Sequence, residues 1–167
     1  MRARDLAIPY QTVDVNTDAT AAARLMAEQQ LPGLLVLGTD GSPTAILPAS
    51  QLVKALVPTY VIEDPTLAAV VDEKHADRLC RALAGRSVAD CLPVQSGPPP
   101  VAVPDDTALE VAALMAQARS PLVAVVETAK DGPHLLGVIT ASHLLHELLA
   151  GSEPDGSQPS HPTPPVV

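Results

Sequence analysis

The chain contains one eight-residue pattern twice, and this duplication constrains the fold more than any other feature. One copy spans residues 45–52, AILPASQL, and the other spans residues 137–144, GVITASHL. In each copy an apolar run typical of a strand leads into Ala-Ser and a closing Leu, which begin an amphipathic segment. Each copy, called an octet below, therefore predicts a strand that passes directly into a helix.

The similarity between the two halves extends well beyond the octets. The matching segments, in chain order, are 3–9 with 88–93, 12–15 with 100–103, 21–27 with 110–116, and 34–37 with 122–126. The spacing predicts strands in the second and fourth of these pairs and helices in the third. Asp18 and Asp106 are placed to cap the two helices, and Asp-Gly turns precede both octets. Each half therefore reads β-α-β-β-α, and the chain is a tandem duplication.

The duplication divides the chain into four parts. Residues 1–58 form the first repeat and residues 86–150 form the second. Residues 59–85 have no counterpart, and the sequence Glu63-Asp64-Pro65-Thr66 predicts the start of a linker helix with Pro in its first turn. The last part, residues 151–167, is rich in Pro, Gly and Ser and is predicted to be disordered.

Composition excludes several classes of function. The chain has two Tyr and no Phe or Trp, which argues against recognition of single-stranded nucleic acid by stacking. Its net charge of -9 argues against nucleic acid in general, because that affinity comes largely from Lys and Arg. The apolar runs are much shorter than the roughly 20 residues that cross a bilayer, and no secretory signal is recognisable. We therefore expect a cytoplasmic protein without membrane insertion.

No constellation of residues predicts catalysis or a metal site. The sequence contains no Gly-rich phosphate loop and no evident pairing of Ser or Cys with His, so the chain is not expected to be an enzyme. His143, His146 and Glu147 fall on neighbouring turns but form only part of a metal ligand set. The two cysteines, Cys80 and Cys91, are eleven positions apart, with no C-x-x-C motif and no ligand set beside them, so we interpret them as reduced structural thiols.

Two residues have both a structural and a functional interpretation. Thr140 is a natural helix N-cap, and a helix N-terminus after a strand also suits a phosphate or other anion. Arg119 comes at the end of a helix, where it would complement the helix dipole or reach a phosphate in a neighbouring cleft. The sequence leaves both alternatives open.

Together these features resemble a CBS-domain pair, the Bateman module. The resemblance rests on the duplicated order, the helices containing Leu-Met, the Pro before each middle strand, and the octet at residues 137–144. It implies an α/β (α+β) fold in which two tandem β-α-β-β-α repeats pack as a pseudo-twofold pair. The sheets of such a pair face each other and leave two clefts. In many members these clefts bind AMP, ADP, ATP or S-adenosylmethionine, so the resemblance implies a regulatory ligand of this kind and no required cofactor.

The resemblance also assigns residues to the ligand site. In the family motif a Gly and two apolar residues precede a hydroxyl residue that contacts phosphate or ribose, and an acidic residue three positions later accepts hydrogen bonds from the ribose. The second repeat supplies Gly137, Val138, Ile139 and Thr140, has His143 in place of the acid, and is joined by Arg119.

The first octet departs further from the motif. It has Pro48 and Gln51 at the hydroxyl and acid positions. Proline offers neither a side-chain donor nor an N–H, whereas a neutral imidazole at His143 still has one acceptor nitrogen. The sequence therefore predicts one altered site, at the second octet, in preference to two good ones.

The function expected from this resemblance is regulatory. A standalone CBS pair would sense an adenosine-containing ligand in the cleft between its repeats and signal to an unidentified partner protein. A homodimer is the expected assembly. The alternative is a CBS-like dimerisation or interaction scaffold that binds no ligand and whose nucleotide sites have decayed.

Overall fold

Two three-stranded sheets with flanking helices form the described part of the chain. The computed structural model describes residues 1–70, 78–94 and 97–151. The first repeat contains α1 (Ala3–Leu6), β1 (Thr12–Asp14), α2 (Ala19–Glu28), β2 (Gly33–Leu37), β3 (Pro43–Pro48) and α3 (Ala49–Leu56). The linker contains α4 (Thr59–Glu63) and two 3₁₀ helices, Pro65–Val70 and Cys80–Leu83. The second repeat contains α5 (Val88–Cys91), β4 (Val101–Ala102), α6 (Ala108–Ala118), β5 (Leu122–Ala129), β6 (Gly132–Thr140) and α7 (Ala141–Ala150).

The two sheets have the same topology, which confirms the predicted β-α-β-β-α repeats. In the first sheet β2 is central, parallel to β1 and antiparallel to β3, and in the second sheet β5 takes the same place between β4 and β6. The central strands carry continuous apolar runs, because both of their faces are covered. Residues 33–36 and residues 122–126 are buried without interruption.

Alternation along the central strands distributes their side chains between two layers. In the first repeat Leu34 and Val36 pack with the core under the helices, whereas Leu35 packs into a separate core between the sheets. This intersheet core also contains Leu122, Ala124, Val126 and Val138 of the second repeat. The two sheets therefore pack face to face, as the resemblance implied.

The short helices α1 and α5 each pack on the opposite repeat. Ala3 and Leu6 belong to the helix-side core of the second repeat, and the Ala3 N–H donates to the carbonyl of Asp106 at 2.8 Å. Val88 and Cys91 belong correspondingly to the core of the first repeat. Cys91 is a free thiol, and its burial raises its pKa. Each repeat is therefore completed by the first segment of the other.

This crossing places Ile8 of the first repeat against the last strand of the second. Ile8 forms an isolated antiparallel bridge with Val138, and both N–H to carbonyl distances are 3.0 Å. The bridge fixes the position of the chain two residues before Tyr10.

The two helix caps differ from each other. Asp18 caps α2 as predicted, because its carboxylate accepts the N–H of Ala21 at 3.0 Å. At α6 the prediction of Asp106 was wrong, since Thr107 is the N-cap. Thr107 and Glu110 form a reciprocal capping box, with the Thr107 N–H donating to Glu110 at 2.7 Å. The carboxylate of Asp106 accepts the Val103 N–H at 2.9 Å instead, which fixes the turn before the helix.

The linker begins with a helix earlier than the sequence indicated. Helix α4 ends at Glu63, and Pro65 opens a 3₁₀ helix instead of the predicted α-helix. The Asp64 carboxylate accepts the Thr66 N–H at 3.1 Å, a local hydrogen bond that competes with α-helical pairing. Within the linker Leu83 is buried in the core of the first repeat. The tail that was predicted to be disordered, residues 151–167, lies outside the described residues except for Gly151, as do linker residues 71–77.

Candidate functional site

One cleft lies between the loops of the second repeat and the last strand of the first. We call it the Arg119 cleft. Its volume is about 310 Å³, and it is lined by Ile46 and Pro48 at the end of β3, by residues 97–100 before β4, and by residues 118–121, which include the last residue of α6 and the three that follow it. This volume lies at the lower end of the roughly 300–1,000 Å³ that is typical of small-molecule sites.

A second, smaller cleft lies among the corresponding loops of the first repeat. We call it the Tyr10 cleft. Its volume is about 190 Å³, and it is lined by Pro9, Tyr10, Gln11, Gln29 and Leu31. All of these residues precede β1 or β2, as those of the second repeat in the Arg119 cleft precede β4 or β5.

The two clefts are equivalent under the pseudo-twofold relation of the repeats. Gln30 and Arg119 each follow the long helix of their repeat, and both adopt a left-handed backbone, with φ of 51° and 49° respectively. In the matched octets Ile46 and Pro48 correspond to Val138 and Thr140. The wall that β3 gives to the Arg119 cleft therefore corresponds to the Val138 and Thr140 end of β6.

Thr140 is the N-cap of α7, as its sequence position predicts. Its side chain is 7% exposed, and its Oγ1 accepts the His143 N–H at 3.2 Å and lies 3.2 Å from the Ser142 hydroxyl. At the equivalent position Pro48 provides no side-chain cap to α3. Both of these contacts of the Thr140 hydroxyl therefore lie within the first turn of α7.

The two prolines before the middle strands also hold the helices of the octets. The Pro32 carbonyl accepts the Ala49 N–H at 3.0 Å, and the Pro121 carbonyl accepts the Ala141 N–H at 2.9 Å. Each of these bonds satisfies the first N–H of a helix that would otherwise have no intrahelical partner. The two strand-to-helix corners therefore share a geometry that depends on backbone hydrogen bonds, although one corner has Thr140 and the other has Pro48 at the same position.

The strand residues of the second octet have structural positions. A Cβ on Gly137 would lie 2.6 Å from the Ile8 carbonyl oxygen, so the close approach of the crossing segment requires glycine there. Val138 packs in the intersheet core, and Ile139 packs under the helices. Gly137, Val138 and Ile139 therefore position the strand-to-helix corner by close backbone approach and apolar packing, and none of them has a polar side chain.

His143 is partly exposed at the third position of α7, where its N–H is bound by Thr140. His146 and Glu147 follow on the same helix. Among residues 1–70, 78–94 and 97–151, no group of three or more His, Cys, Asp and Glu side chains is arranged to hold a metal ion.

Arg119 gives its cleft a distinct electrostatic character. It is exposed at the C-terminal end of α6, and it is the one charged side chain among the described residues that line this cleft. The Ser120 hydroxyl next to it donates to the Leu122 carbonyl at 2.7 Å, which fixes the turn into β5. The remaining lining is mainly proline and aliphatic carbon, so this is an apolar cleft with one cation at its edge.

Comparison with known proteins identifies this architecture. A sequence model of the CBS domain matches residues 3–58 and again residues 88–150. The chain belongs to the CBS-domain family. The crystal structure of a CBS domain-containing protein of unknown function from Kribbella flavida is 46% identical, covers 89% of this chain and 99% of its own, and has a TM-score of 0.76.

More distant CBS structures share the fold. CBSX2 of Arabidopsis thaliana in complex with AMP is 18% identical, with a TM-score of 0.61 over 91% of this chain and 98% of its own. The CBS domain pair of MJ0100 in complex with 5'-methylthioadenosine and S-adenosylmethionine is 17% identical, with a TM-score of 0.62 over 92% of this chain and 98% of its own. Among curated proteins, no sequence matches this chain at a significant level.

The residues that the sequence assigned to one ligand site lie at two different places in the CBS pair, which the pseudo-twofold relation makes equivalent. Arg119 lines a cleft whose opposite wall is Ile46 and Pro48, whereas Thr140 and His143 lie at the corner that corresponds to that wall. Sequence reasoning missed Tyr10 and the proline run at residues 98–100. The repeat alignment contained a signal for both, because Tyr10 and the proline run each precede the first strand of their repeat, but it does not say which side chain enters a cleft.

Proposed function

We propose that the chain is a regulatory, non-catalytic CBS pair that binds a phosphate-bearing adenosine ligand in the Arg119 cleft. The observation that carries this proposal is the single cation, Arg119, at the edge of an otherwise apolar cleft of about 310 Å³ between the repeats. The proposal moves the ligand site expected at Thr140 to the equivalent position in the pair. Thr140 then has the capping role that its hydrogen bonds describe.

The lining has the chemistry that such a ligand needs. The prolines at residues 98–100 and at 48 present apolar rings to a flat purine, and a guanidinium pairs with phosphate oxygens through two parallel hydrogen bonds. The chain has a net charge of -9, so a local cation is needed to attract an anion. Physiological salt screens charges over a distance of about 8 Å, so carboxylates farther than this from the cleft repel the ligand only weakly. S-adenosylmethionine carries a sulfonium cation next to its adenosine, so Arg119 favours AMP, ADP or ATP over it.

Ligand binding in this cleft would couple the two repeats. A bound nucleotide would contact Pro48 of the first repeat and Arg119 of the second, and would thereby favour one relative arrangement of the repeats. Only such a difference in affinity shifts a conformational equilibrium. An unidentified partner protein would respond to the favoured arrangement.

Isothermal titration calorimetry with AMP, ADP, ATP and S-adenosylmethionine tests this proposal. Arg119→Gln introduces the residue type found at equivalent position 30 and should weaken binding of the preferred nucleotide about tenfold or more, since a hydrogen bond to a charged group contributes about 1.5–3 kcal/mol. Arg81→Gln, at an exposed linker position, is the matched control and should leave binding unchanged. The proposal fails if wild-type protein binds none of the four compounds at millimolar concentration, which would favour the ligand-free scaffold, or if Arg119→Gln binds as wild type.

We also propose that two copies of the chain associate head to tail. Helix α7 exposes Leu145, Leu148 and Leu149, with 59%, 42% and 66% exposure. On the other repeat, α2 and α3 enclose an apolar groove of about 340 Å³ lined by Ala23, Met26, Ala27, Leu31, Ala49, Leu52, Val53 and Leu56. Leucines on one face and an alanine-lined groove on the other are complementary in shape.

Charge supports the same orientation. Helices α2 and α3 carry Arg24 and Lys54, with Glu28 as their one acid, whereas α6 and α7 carry Glu110 and Glu147 and no Lys or Arg. A head-to-tail dimer brings the acidic helices toward the basic ones, whereas a head-to-head dimer brings like charges together.

A complementation experiment decides the orientation. Val53→Arg blocks the groove and Leu145→Glu removes the leucine face, and both changes are at exposed side chains. We expect each variant alone to be monomeric by light scattering and a mixture of the two to recover dimers, because the mixed dimer keeps one intact interface. A monomeric wild type refutes the dimer. Absence of recovery on mixing refutes the head-to-tail arrangement.

Cellular location and targets follow from charge and hydropathy. Helices long and apolar enough to cross a bilayer are absent from the described residues. We place the protein in the cytoplasm and assign it no nucleic-acid target, because a net charge of -9 opposes binding to a phosphate backbone.

A further inference from the structure

Tyr10 is a half-buried aromatic residue in a chain that has only two tyrosines and no Phe or Trp. Its ring packs against the intersheet core, and its hydroxyl donates to the Gly33 carbonyl at 2.8 Å. Burial raises the pKa of the phenol to about 12, so the hydroxyl keeps its proton at neutral pH. The ring is thus held by apolar packing and by one hydrogen bond to the start of β2.

The backbone on either side fixes where this ring lies. Ile8 is bridged to Val138, and Gly137 allows the crossing segment to approach β6 closely. Tyr10 packs against the intersheet core, which includes Val138 of β6, the residue that corresponds to Ile46 in the wall of the Arg119 cleft.

The two equivalent clefts differ in the space that remains. In the Arg119 cleft the position equivalent to Tyr10 is Pro99, and about 310 Å³ is open with the β3 wall exposed to it. In the Tyr10 cleft about 190 Å³ remains, and the residues that line it all come from the loops of the first repeat. The tyrosine ring accounts for this difference, because it stands between those loops and the intersheet core.

We propose that the Tyr10 ring is the resident occupant of the second cleft, and that a flat aromatic ligand with a hydrogen-bond donor takes its place when the ring is removed. Such a ligand reproduces the two interactions of the tyrosine, packing in the intersheet layer and donation to the Gly33 carbonyl. The isolated side chain p-cresol has this chemistry, and so does adenine through its exocyclic amine. Combined with the proposed function, on which this step rests, Tyr10 limits the chain to one nucleotide, in the Arg119 cleft.

Tyr10→Ala tests this proposal without requiring a nucleotide. Millimolar p-cresol should raise the thermal midpoint of Tyr10→Ala and leave that of wild type unchanged. Tyr60→Ala, at the other tyrosine, which is 48% exposed on α4, is the matched control and should not respond. The same response in Tyr60→Ala, or no response in folded Tyr10→Ala, would overturn the proposal.

Calorimetry with adenosine then counts the sites. Tyr10→Ala should bind one equivalent more than wild type, whether or not the Arg119 cleft of wild type binds. An equal number of equivalents in the two proteins refutes the inference, whereas a wild type that binds no AMP refutes only the proposed function. These two failures are therefore distinguishable.

A measurement on wild-type protein covers the case in which Tyr10→Ala does not fold. Tetranitromethane modifies accessible tyrosines, and peptide mass spectrometry locates the nitrated ring. We expect nitration at Tyr60 and protection at Tyr10, in accord with their exposures. Equal nitration of the two rings would show that Tyr10 does not stay in the cleft and would overturn the proposal.

Discussion

The Arg119 cleft and the Tyr10 cleft share a backbone plan and differ in almost every side chain that would meet a ligand. Arg119 and Gln30 adopt the same left-handed conformation after equivalent helices, yet one is a cation and the other is neutral. The wall of the Arg119 cleft lacks the motif hydroxyl, whereas the equivalent corner keeps Thr140, and the Tyr10 cleft is the smaller of the two. The two repeats therefore share their backbone geometry, and in our proposal a few side-chain differences determine which cleft takes a ligand.

The largest effect is expected where the crossing segment meets β6. Gly137→Ala would place a methyl group 2.6 Å from the Ile8 carbonyl oxygen and should lower the free energy of unfolding by about 1–3 kcal/mol, the usual cost of overpacking. Because the displaced segment carries Tyr10, nitration of Tyr10 should also increase. Urea denaturation measures the first effect. The control is Gly97→Ala, whose added methyl would have no atom within 4 Å. A Gly137→Ala protein as stable as this control would contradict our account of the close approach.

A second comparison separates capping from ligand contact at the strand-to-helix corners. Thr140→Val removes the acceptor of the His143 N–H and should cost about 1 kcal/mol of stability, as other cap deletions do. Ser50→Ala, at an exposed position of α3, should have little effect. Nucleotide affinity should not change in either variant, since the proposed site is the Arg119 cleft. A loss of affinity in Thr140→Val with stability unchanged would reverse the roles that we assign to the two clefts.

Tyr10→Phe keeps the ring and removes its hydrogen bond to Gly33, and it should cost about 0.5–1.5 kcal/mol. It should also alter the pH dependence of stability. Burial raises the phenol pKa from 10.0 to about 12, so folding favours the protonated form. This contribution is complete below pH 10 and is lost as the pH rises toward 12. Thermal melts across this range should show a steeper decline for wild type than for Tyr10→Phe, with Tyr60→Phe behaving as wild type. Parallel declines in wild type and Tyr10→Phe would argue against burial of the phenol.

The smallest effect is expected at the ion pair that ties the N-terminal helix to the second repeat. The Arg4 guanidinium pairs with the Asp105 carboxylate, and their side chains are 51% and 78% exposed. Arg4→Ala should therefore cost about 0.2–1 kcal/mol, and the difference from wild type should shrink in high salt. Arg81→Ala, at an exposed linker position, is the control. A cost that is large and insensitive to salt would mean that α1 and its crossing depend on this pair more than on Ala3 and Leu6.

The repeat structure could be predicted because each of its signals is local. Apolar runs of four or five residues predicted β2 and β5, Asp-Gly predicted the hairpin turns, and a hydroxyl after Ile139 predicted the cap of α7. The cap of α6 was placed one residue early, since Asp106 and Thr107 are both good N-caps. Only the three-dimensional turn, in which Asp106 accepts the Val103 N–H, leaves the cap to Thr107.

The candidate site was predictable only in part. The sequence left Arg119 either to complement a helix dipole or to reach a cleft, and the structure places it at the edge of one. The octets were predicted to be equivalent corners. The sequence alone could not show whether Arg119 and Thr140 belong to one site, because the opposite wall of each cleft comes from the other repeat. The role of Tyr10 was missed for the same reason, since its partner Gly33 lies 23 positions away and the ring packs against the second repeat.

By itself, the sequence determined that this protein is a tandem pair of β-α-β-β-α repeats with unequal octets, because hydrophobic period, turn residues and self-similarity are properties of neighbouring positions. Tertiary structure alone decided that α1 and α5 cross to the opposite repeats, that Gly137 is needed for backbone approach, and that Tyr10 packs against the intersheet core and donates to the Gly33 carbonyl. These outcomes depend on contacts between residues far apart in the chain, from 23 positions for Tyr10 and Gly33 to 130 for Ile8 and Val138. Packing selects among such contacts, and no local pattern in the chain encodes them.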